Sequence, residues 1–128
     1  MDDLSSFLNL SNKALKKDGY IYILARVGSG IDILTLWEKS KVYPIEHQNL
    51  LSIDGLKILL NNIGFHIKEI NTPGTLDVDN ILKNKSEIPK FLEYIRLFNN
   101  ERALEDFRIF IQKNLLSSFA TIIAKKEK

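Results

Sequence analysis

Two loop segments of this sequence carry residue types that could do chemistry. The first, Gly28-Ser29-Gly30, directly follows an apolar run. Glycines at such a place let backbone N–H groups approach a phosphate or a nucleoside closely. A complete dinucleotide-binding pattern needs another glycine at position 33, which is Ile33. A plain flexible loop without any ligand explains the same residues.

The second segment is Pro44-Ile45-Glu46-His47-Gln48-Asn49, in which Glu46 stands beside His47. A carboxylate and an imidazole can supply general acid–base catalysis near neutral pH. Neighbouring residues in a chain need not face each other, however, and the sequence shows no nucleophile for them to activate. The alternative interpretation is a polar loop whose histidine hydrogen-bonds to the backbone.

Composition excludes several other classes of protein. The 128 residues contain no cysteine and two histidines, which excludes a disulfide framework and a cysteine-ligated metal, and we expect no metal site. A net charge of +2 does not indicate nucleic acid or anionic lipid as a partner. The N-terminus is acidic and no apolar run approaches the ~20 residues of a membrane span, so we expect a cytoplasmic protein with no membrane contact.

Hydrophobic periodicity predicts the helices that position these loops. Ser52 is a typical N-cap and Gly64 a typical helix end, and Pro89 suits the first turn of a helix capped by Ser86. The predicted helices cover residues 4–16, 31–37, 53–63, 87–98 and 101–115.

Three apolar segments predict strands. Residues 20–27 are continuously apolar except for Arg26, which is typical of a strand buried on both faces. Residues 65–70 alternate apolar and polar side chains and place His66 on the solvent side. Residues 119–124 predict a buried final strand. The sequence therefore predicts one α/β domain over residues 1–128, with three strands and four to five helices.

The ordered series of motifs resembles one known family. The matching pieces are Leu15-Lys16-Lys17-Asp18-Gly19, then Pro44-x-Glu46-His47-x-Asn49-Leu50-Leu51-Ser52, then Gly64-Phe65 and Thr72-Pro73-Gly74. In this order they are similar to the C-terminal half of class I S-adenosylmethionine-dependent methyltransferases, in a branch found among small-molecule and surface-glycan genes.

The resemblance implies a fold. Residues 20–27, 65–70 and 119–124 would be the fifth, sixth and seventh strands of the family, with the last antiparallel and central in a three-stranded mixed sheet. The whole would be a partial Rossmann-like methyltransferase sandwich. The glycine-rich cofactor loop and the acidic ribose-binding residue of the family have no counterpart. The family's cofactor, S-adenosylmethionine, is therefore not expected to bind to this chain alone.

The resemblance also assigns roles on the acceptor side of the site. His47 and Glu46 would be catalytic, and Arg26, Ser29, Asp32 and Asn49 would bind the substrate. No residue is assigned to the cofactor or to a metal. The function implied is the acceptor-side portion of a methyltransferase for a small molecule or glycan, as a truncated gene product or one half of a split enzyme, inactive by itself.

The same resemblance leaves strand 20–27 without its usual neighbour, and an exposed apolar edge favours pairing with another chain. We therefore expect a homodimer, or a complex with a separate N-terminal methyltransferase half, joined through this strand. Two alternatives stay open. One is a non-enzymatic interaction module that uses the same edge, and the other is a small flavodoxin-like binder of nucleotides at Gly28–Gly30.

Overall fold

The structure is a computed structural model that describes residues 3–36, 51–72, 75–83, 88–98 and 100–128. Within these ranges the chain forms six helices and three strands. The helices are α1 (Leu4–Ala14), α2 (Ile31–Leu36), α3 (Ile53–Ile63), α4 (Thr75–Lys83), α5 (Lys90–Leu97) and α6 (Glu101–Lys113). The strands are β1 (Tyr20–Arg26), β2 (Phe65–Asn71) and β3 (Phe119–Lys126).

The three strands form one sheet in the order β1-β3-β2, with β3 antiparallel to both neighbours. The β1–β3 ladder runs without interruption from the Tyr20–Lys125 pair to the Arg26–Phe119 pair. The β2–β3 ladder contains a bulge between Ile67 and Glu69. Each outer strand therefore has one edge that no described strand covers. The ladder of β1 is uninterrupted, whereas that of β2 contains the bulge.

The α/β class, the three strand positions and the central antiparallel last strand are confirmed. The prediction of a mixed sheet is wrong, because the strand pairs in the described ranges are all antiparallel. The helix count was too low, since α4 was missed. It is nine residues long, too short for a clear periodic pattern, and it follows a Pro-Gly pair that predicted only a turn.

Helix ends follow local side-chain chemistry. Ser52 caps α3 as predicted, since its Oγ accepts the Gly55 N–H at 3.0 Å. Gly64 ends the same helix with φ 108°, a left-handed conformation that glycine adopts without strain. Helix α5 begins at Lys90 and not at position 87, because Pro89 is extended at ψ 138° and lies before the first turn. The predicted cap Ser86 lies outside the described residues.

The hydrophobic core consists of two clusters. The first packs α1 and α3 against one face of the sheet and is formed by Leu8, Val27, Ile53, Leu56, Leu60, Phe65, Ala120, Ile122 and Ala124. The second joins α2 to α4, α5 and α6 and is formed by Leu36, Val78, Ile81, Leu92, Leu104 and Ile111. The loop after β1 links the two clusters, because it leads from the sheet into α2.

Strand β1 is buried on one face only, so the prediction of burial on both faces is wrong. Its side chains alternate: Ile21 and Ile23 pack against the first core cluster. Tyr20, Tyr22 and Leu24 point the other way and are 57%, 65% and 76% exposed. An apolar sequence shows that a segment favours a strand. It does not show whether other elements cover one face of that strand or both. The exposed face of an outer strand thus carries large apolar side chains.

Candidate functional site

The turn after β1 packs directly against the start of β3. The Val27 N–H donates to the Ser118 carbonyl at 2.6 Å, and the Ile31 N–H donates to the Leu116 carbonyl at 2.6 Å. A Cβ added at Gly30 would lie 2.2 Å from the Ser118 Cβ and from the Ser118 nitrogen. The space that this glycine opens is therefore filled by Ser118, directly before β3.

Behind this turn lies a buried polar cluster of six residues from β1, α2, α4 and the start of β3: Arg26, Asp32, Asp77, Asn80, Ser117 and Ser118. Its two carboxyl groups are almost inaccessible to solvent, with Asp32 1% and Asp77 0% exposed. Arg26 Nη2 lies 3.1 Å from Asp32 Oδ2 in a buried ion pair. Asn80 Nδ2 donates to the same oxygen at 3.3 Å. Asp32 thus joins β1, through Arg26, to α4, through Asn80.

Asp77 stands in the first turn of α4 and is bonded to the start of β3. Its Oδ1 accepts the Ser118 N–H at 2.7 Å, and its Oδ2 accepts the Ser117 hydroxyl at 2.5 Å. Burial, with a smaller contribution from the Asp32 carboxyl, raises the pKa of Asp77 to about 6 against the opposing hydrogen bonds from the two serines. Asp77 is therefore a buried carboxyl group that keeps its proton at a higher pH than an exposed one.

Arg26 is the cation of the cluster. Its guanidinium lies over the Phe119 ring with its central carbon 4.6 Å from the centroid, a cation–π contact shielded from water. Its Nε is buried without a hydrogen-bond partner. The single arginine therefore sits between an aromatic face and one carboxylate, at the carboxyl end of the outer strand β1.

The structure brings together two of the six predicted site residues. Arg26 and Asp32 form the ion pair described above, whereas Ser29 lies apart, where its Oγ accepts the Ile53 N–H at 3.4 Å. The other three, Glu46, His47 and Asn49, lie outside the described residues. The substrate and catalytic roles of all six stay predictions.

The residues that α4 and the segment directly before β3 contribute to the cluster were not identified from the sequence. Asp77 is a charged residue between Leu76 and Val78, and Ser117-Ser118 directly precedes a buried strand. Charged and hydroxyl side chains are rarely this buried unless they are paired. A carboxylate inside an apolar segment was therefore the signal that could have identified Asp77, and the two serines are the donors such a carboxylate needs.

The cluster is built to hold elements together. Its carboxyl groups are shielded from solvent, so a dissolved substrate reaches them only after a movement of the surrounding helices. Elsewhere, an open groove of about 390 Å³ lies between the start of α1 and α3. It is lined by Asp3, Leu4, Ser5, Leu51, Gly55, Ile58, Leu59 and Asn62.

Within the described ranges, no three histidine, aspartate or glutamate side chains lie together as a metal site. None of the helices described is both long and apolar enough to span a membrane.

Comparison of the chain with protein-family models, with curated proteins and with solved structures finds no significant match in any of the three.

Proposed function

We propose that this chain is the acceptor-side portion of an S-adenosylmethionine-dependent methyltransferase for a small molecule or glycan. It becomes active only when a cofactor-binding portion adds to the free edge of β1. The strand order supports this proposal, because the resemblance to the family implies that the last strand lies, antiparallel, between the two that precede it. The order β1-β3-β2 has that arrangement.

The observation that carries the proposal is the outer edge of β1, which no strand among the described residues covers. The strand has seven residues in an uninterrupted ladder, and its exposed face carries Tyr20, Tyr22 and Leu24. Free edges of this kind pair readily with another strand, and native proteins normally block them with charges, proline or a bulge. A strand added here would extend the sheet and bring its own side chains beside these three on the same face.

We propose that some of the predicted residues support the site and that others face the substrate. Arg26 and Asp32 fix the carboxyl end of β1 and the start of α2, which supports the acceptor-side loop that contains Ser29. Glu46, His47 and Asn49 follow in the next loop of the sequence and are the proposed substrate-facing groups. We place the cofactor site in the added portion, which is supported by Ser118 filling the space beside Gly30.

Co-expression tests the proposal. The chain is produced alone and together with the polypeptide encoded immediately upstream, and each preparation is titrated calorimetrically with S-adenosylmethionine. We expect a complex that binds S-adenosylmethionine with micromolar Kd and no binding by the chain alone. Micromolar binding by the isolated chain, or a complex without affinity for S-adenosylmethionine, would overturn the proposal.

His47 is tested in the same complex. His47→Ala should lower methyl transfer if the imidazole acts as a base, whereas His66→Ala is the matched control because His66 lies exposed on β2. Unchanged turnover in the His47 variant would remove the catalytic role proposed for this residue.

The second candidate function is a non-enzymatic interaction module that pairs with its own copy through β1. Two observations favour it: the edge is apolar, and the described candidate residues Arg26 and Asp32 already bind each other. Light scattering on the isolated chain separates the two functions. A stable dimer that Leu24→Lys dissociates favours the module, whereas a monomer that associates only with the upstream polypeptide favours the methyltransferase.

A further inference from the structure

We propose that Asp77 is a proton-dependent latch, which holds α4 against the segment directly before β3 while its buried carboxyl group keeps its proton. When that proton leaves, the junction between the two core clusters loosens. This inference is independent of the proposed enzymatic role, because it concerns the interior of the chain and not the edge of β1.

The buried polar cluster has two carboxyl groups and, among the described residues, one cation. That cation, Arg26, is paired with Asp32, so an ionised Asp77 would have no described cation to balance its charge. An unpaired buried charge is strongly unfavourable, and such a group takes up a proton instead. The remaining polar partners are the neutral Asn80, Ser117 and Ser118.

Asp77 stands where α4 meets the chain directly before β3. Its carboxyl group accepts the Ser118 N–H and the Ser117 hydroxyl. The next acidic residue of α4, Asp79, is bonded instead to Arg108 of α6 at 3.2 Å. Among the side-chain hydrogen bonds of the described residues, those that join α4 to the segment before β3 are therefore made by Asp77.

The titration range follows from burial. The pKa of Asp77 rises from an ordinary 3.8 to about 6, chiefly by desolvation and further by Asp32. The folded state then binds more protons than the unfolded state between these values, so the latch is fully effective below pH 3.8. Its stabilisation is lost as the pH rises through about 6. A carboxylate in an ordinary ion pair has a lowered pKa in the folded state, so the stabilisation that it gives is lost as the pH falls.

Asp77→Asn tests the latch because the amide keeps an acceptor for the Ser118 N–H and cannot ionise. Unfolding by urea is measured for wild type and variant between pH 4 and pH 7. We expect the wild-type unfolding equilibrium constant, relative to that of the variant, to rise by less than tenfold per pH unit and by about thirtyfold in all from pH 4 to pH 6. A ratio that does not change with pH would overturn the latch.

Asp79→Asn is the matched control, since it removes a less buried carboxyl from the same helix. The wild-type unfolding equilibrium constant, relative to that of Asp79→Asn, should not rise with pH as it does relative to that of Asp77→Asn. If it does, the pH dependence belongs to the helix as a whole and the latch is contradicted.

A direct titration keeps the test independent of whether the Asp77 variant folds. The carboxyl carbons of the wild-type protein are followed by NMR, together with amide exchange at Ser118. We expect the Asp77 carboxyl to release its proton near pH 6, and the protection of Ser118 to fall at least about fivefold relative to that of Ile122 over this range. An Asp77 carboxyl that is already ionised at pH 4, or unchanged protection of Ser118, would overturn the proposal.

Discussion

The two outer strands of the sheet present opposite kinds of edge. Strand β2 has a bulge between Ile67 and Glu69, and its exposed side chains include His66 and Lys68. Bulges and charges are the devices by which proteins prevent edge-to-edge pairing. Strand β1 has neither along its exposed face, where Tyr22 and Leu24 stand in an uninterrupted ladder. The difference supports our proposal that β1, and not β2, is the edge that binds a partner.

The two outer strands also differ in the burial of their charged side chains. The one charge of β1, Arg26, is buried against Asp32 and Phe119 at the end of the strand. Lys68 and Glu69 of β2 are exposed in its middle. The charge on β1 therefore anchors the strand internally and leaves the outer face apolar, whereas those on β2 face the solvent.

The largest effect is expected from removing the buried charge. Arg26→Met leaves Asp32 without its cation inside the protein and should lower the free energy of unfolding by about 3 kcal/mol at pH 7. Lys68→Met, the matched change on β2, should alter it by no more than about 0.5 kcal/mol. Urea unfolding measures both variants, and equal effects would erase the difference between the two strands.

Glycines beside the two strands give the next comparison. Gly30→Ala should cost about 3 kcal/mol, because the new Cβ would overlap the Ser118 backbone at 2.2–2.3 Å. Gly64→Ala should cost about 1–2 kcal/mol, mainly for its φ of 108°. Thermal unfolding of the two variants checks the order. A smaller loss at Gly30 than at Gly64 would contradict the close packing of the β1 turn on β3.

A substitution on the exposed face of β1 is expected to change stability least. Its effect on association should nevertheless be clear. Leu24→Lys should change the free energy of unfolding by at most about 0.5 kcal/mol, since the side chain is exposed. It should weaken association through β1 by about tenfold or more, because lysine on an edge strand opposes pairing. Glu69→Lys on β2 is the control. Sedimentation measures both, and weaker association only in the Glu69 variant would assign the interface to β2.

Much of the fold was predictable because it depends on local patterns. Ser52 and Gly64 mark the ends of α3 by their own backbone chemistry, and the alternation of β2 placed His66 in solvent correctly. The open face of β1 was not predictable in this way. Its apolar run is identical for a central and an outer strand, and only the strand order of the folded sheet distinguishes them.

The candidate site was predictable only in part. Arg26 and Asp32 lie six residues apart around a turn, so the sequence brought them near each other. Asp77 and Ser117 are separated by forty positions and meet only when α4 packs against the start of β3. No local pattern encodes such a contact, which is why the prediction contained one carboxylate of the pair and missed the other.

Amide hydrogen exchange of β1 and β2 tests the central claim most directly. It is measured for the chain alone and for its co-expressed complex with the polypeptide encoded immediately upstream. We expect the β1 amides between Tyr20 and Arg26 to exchange at least about tenfold more slowly in the complex, with β2 unchanged. Slower exchange confined to β2, or no change at β1, would contradict the assignment of β1 as the binding edge.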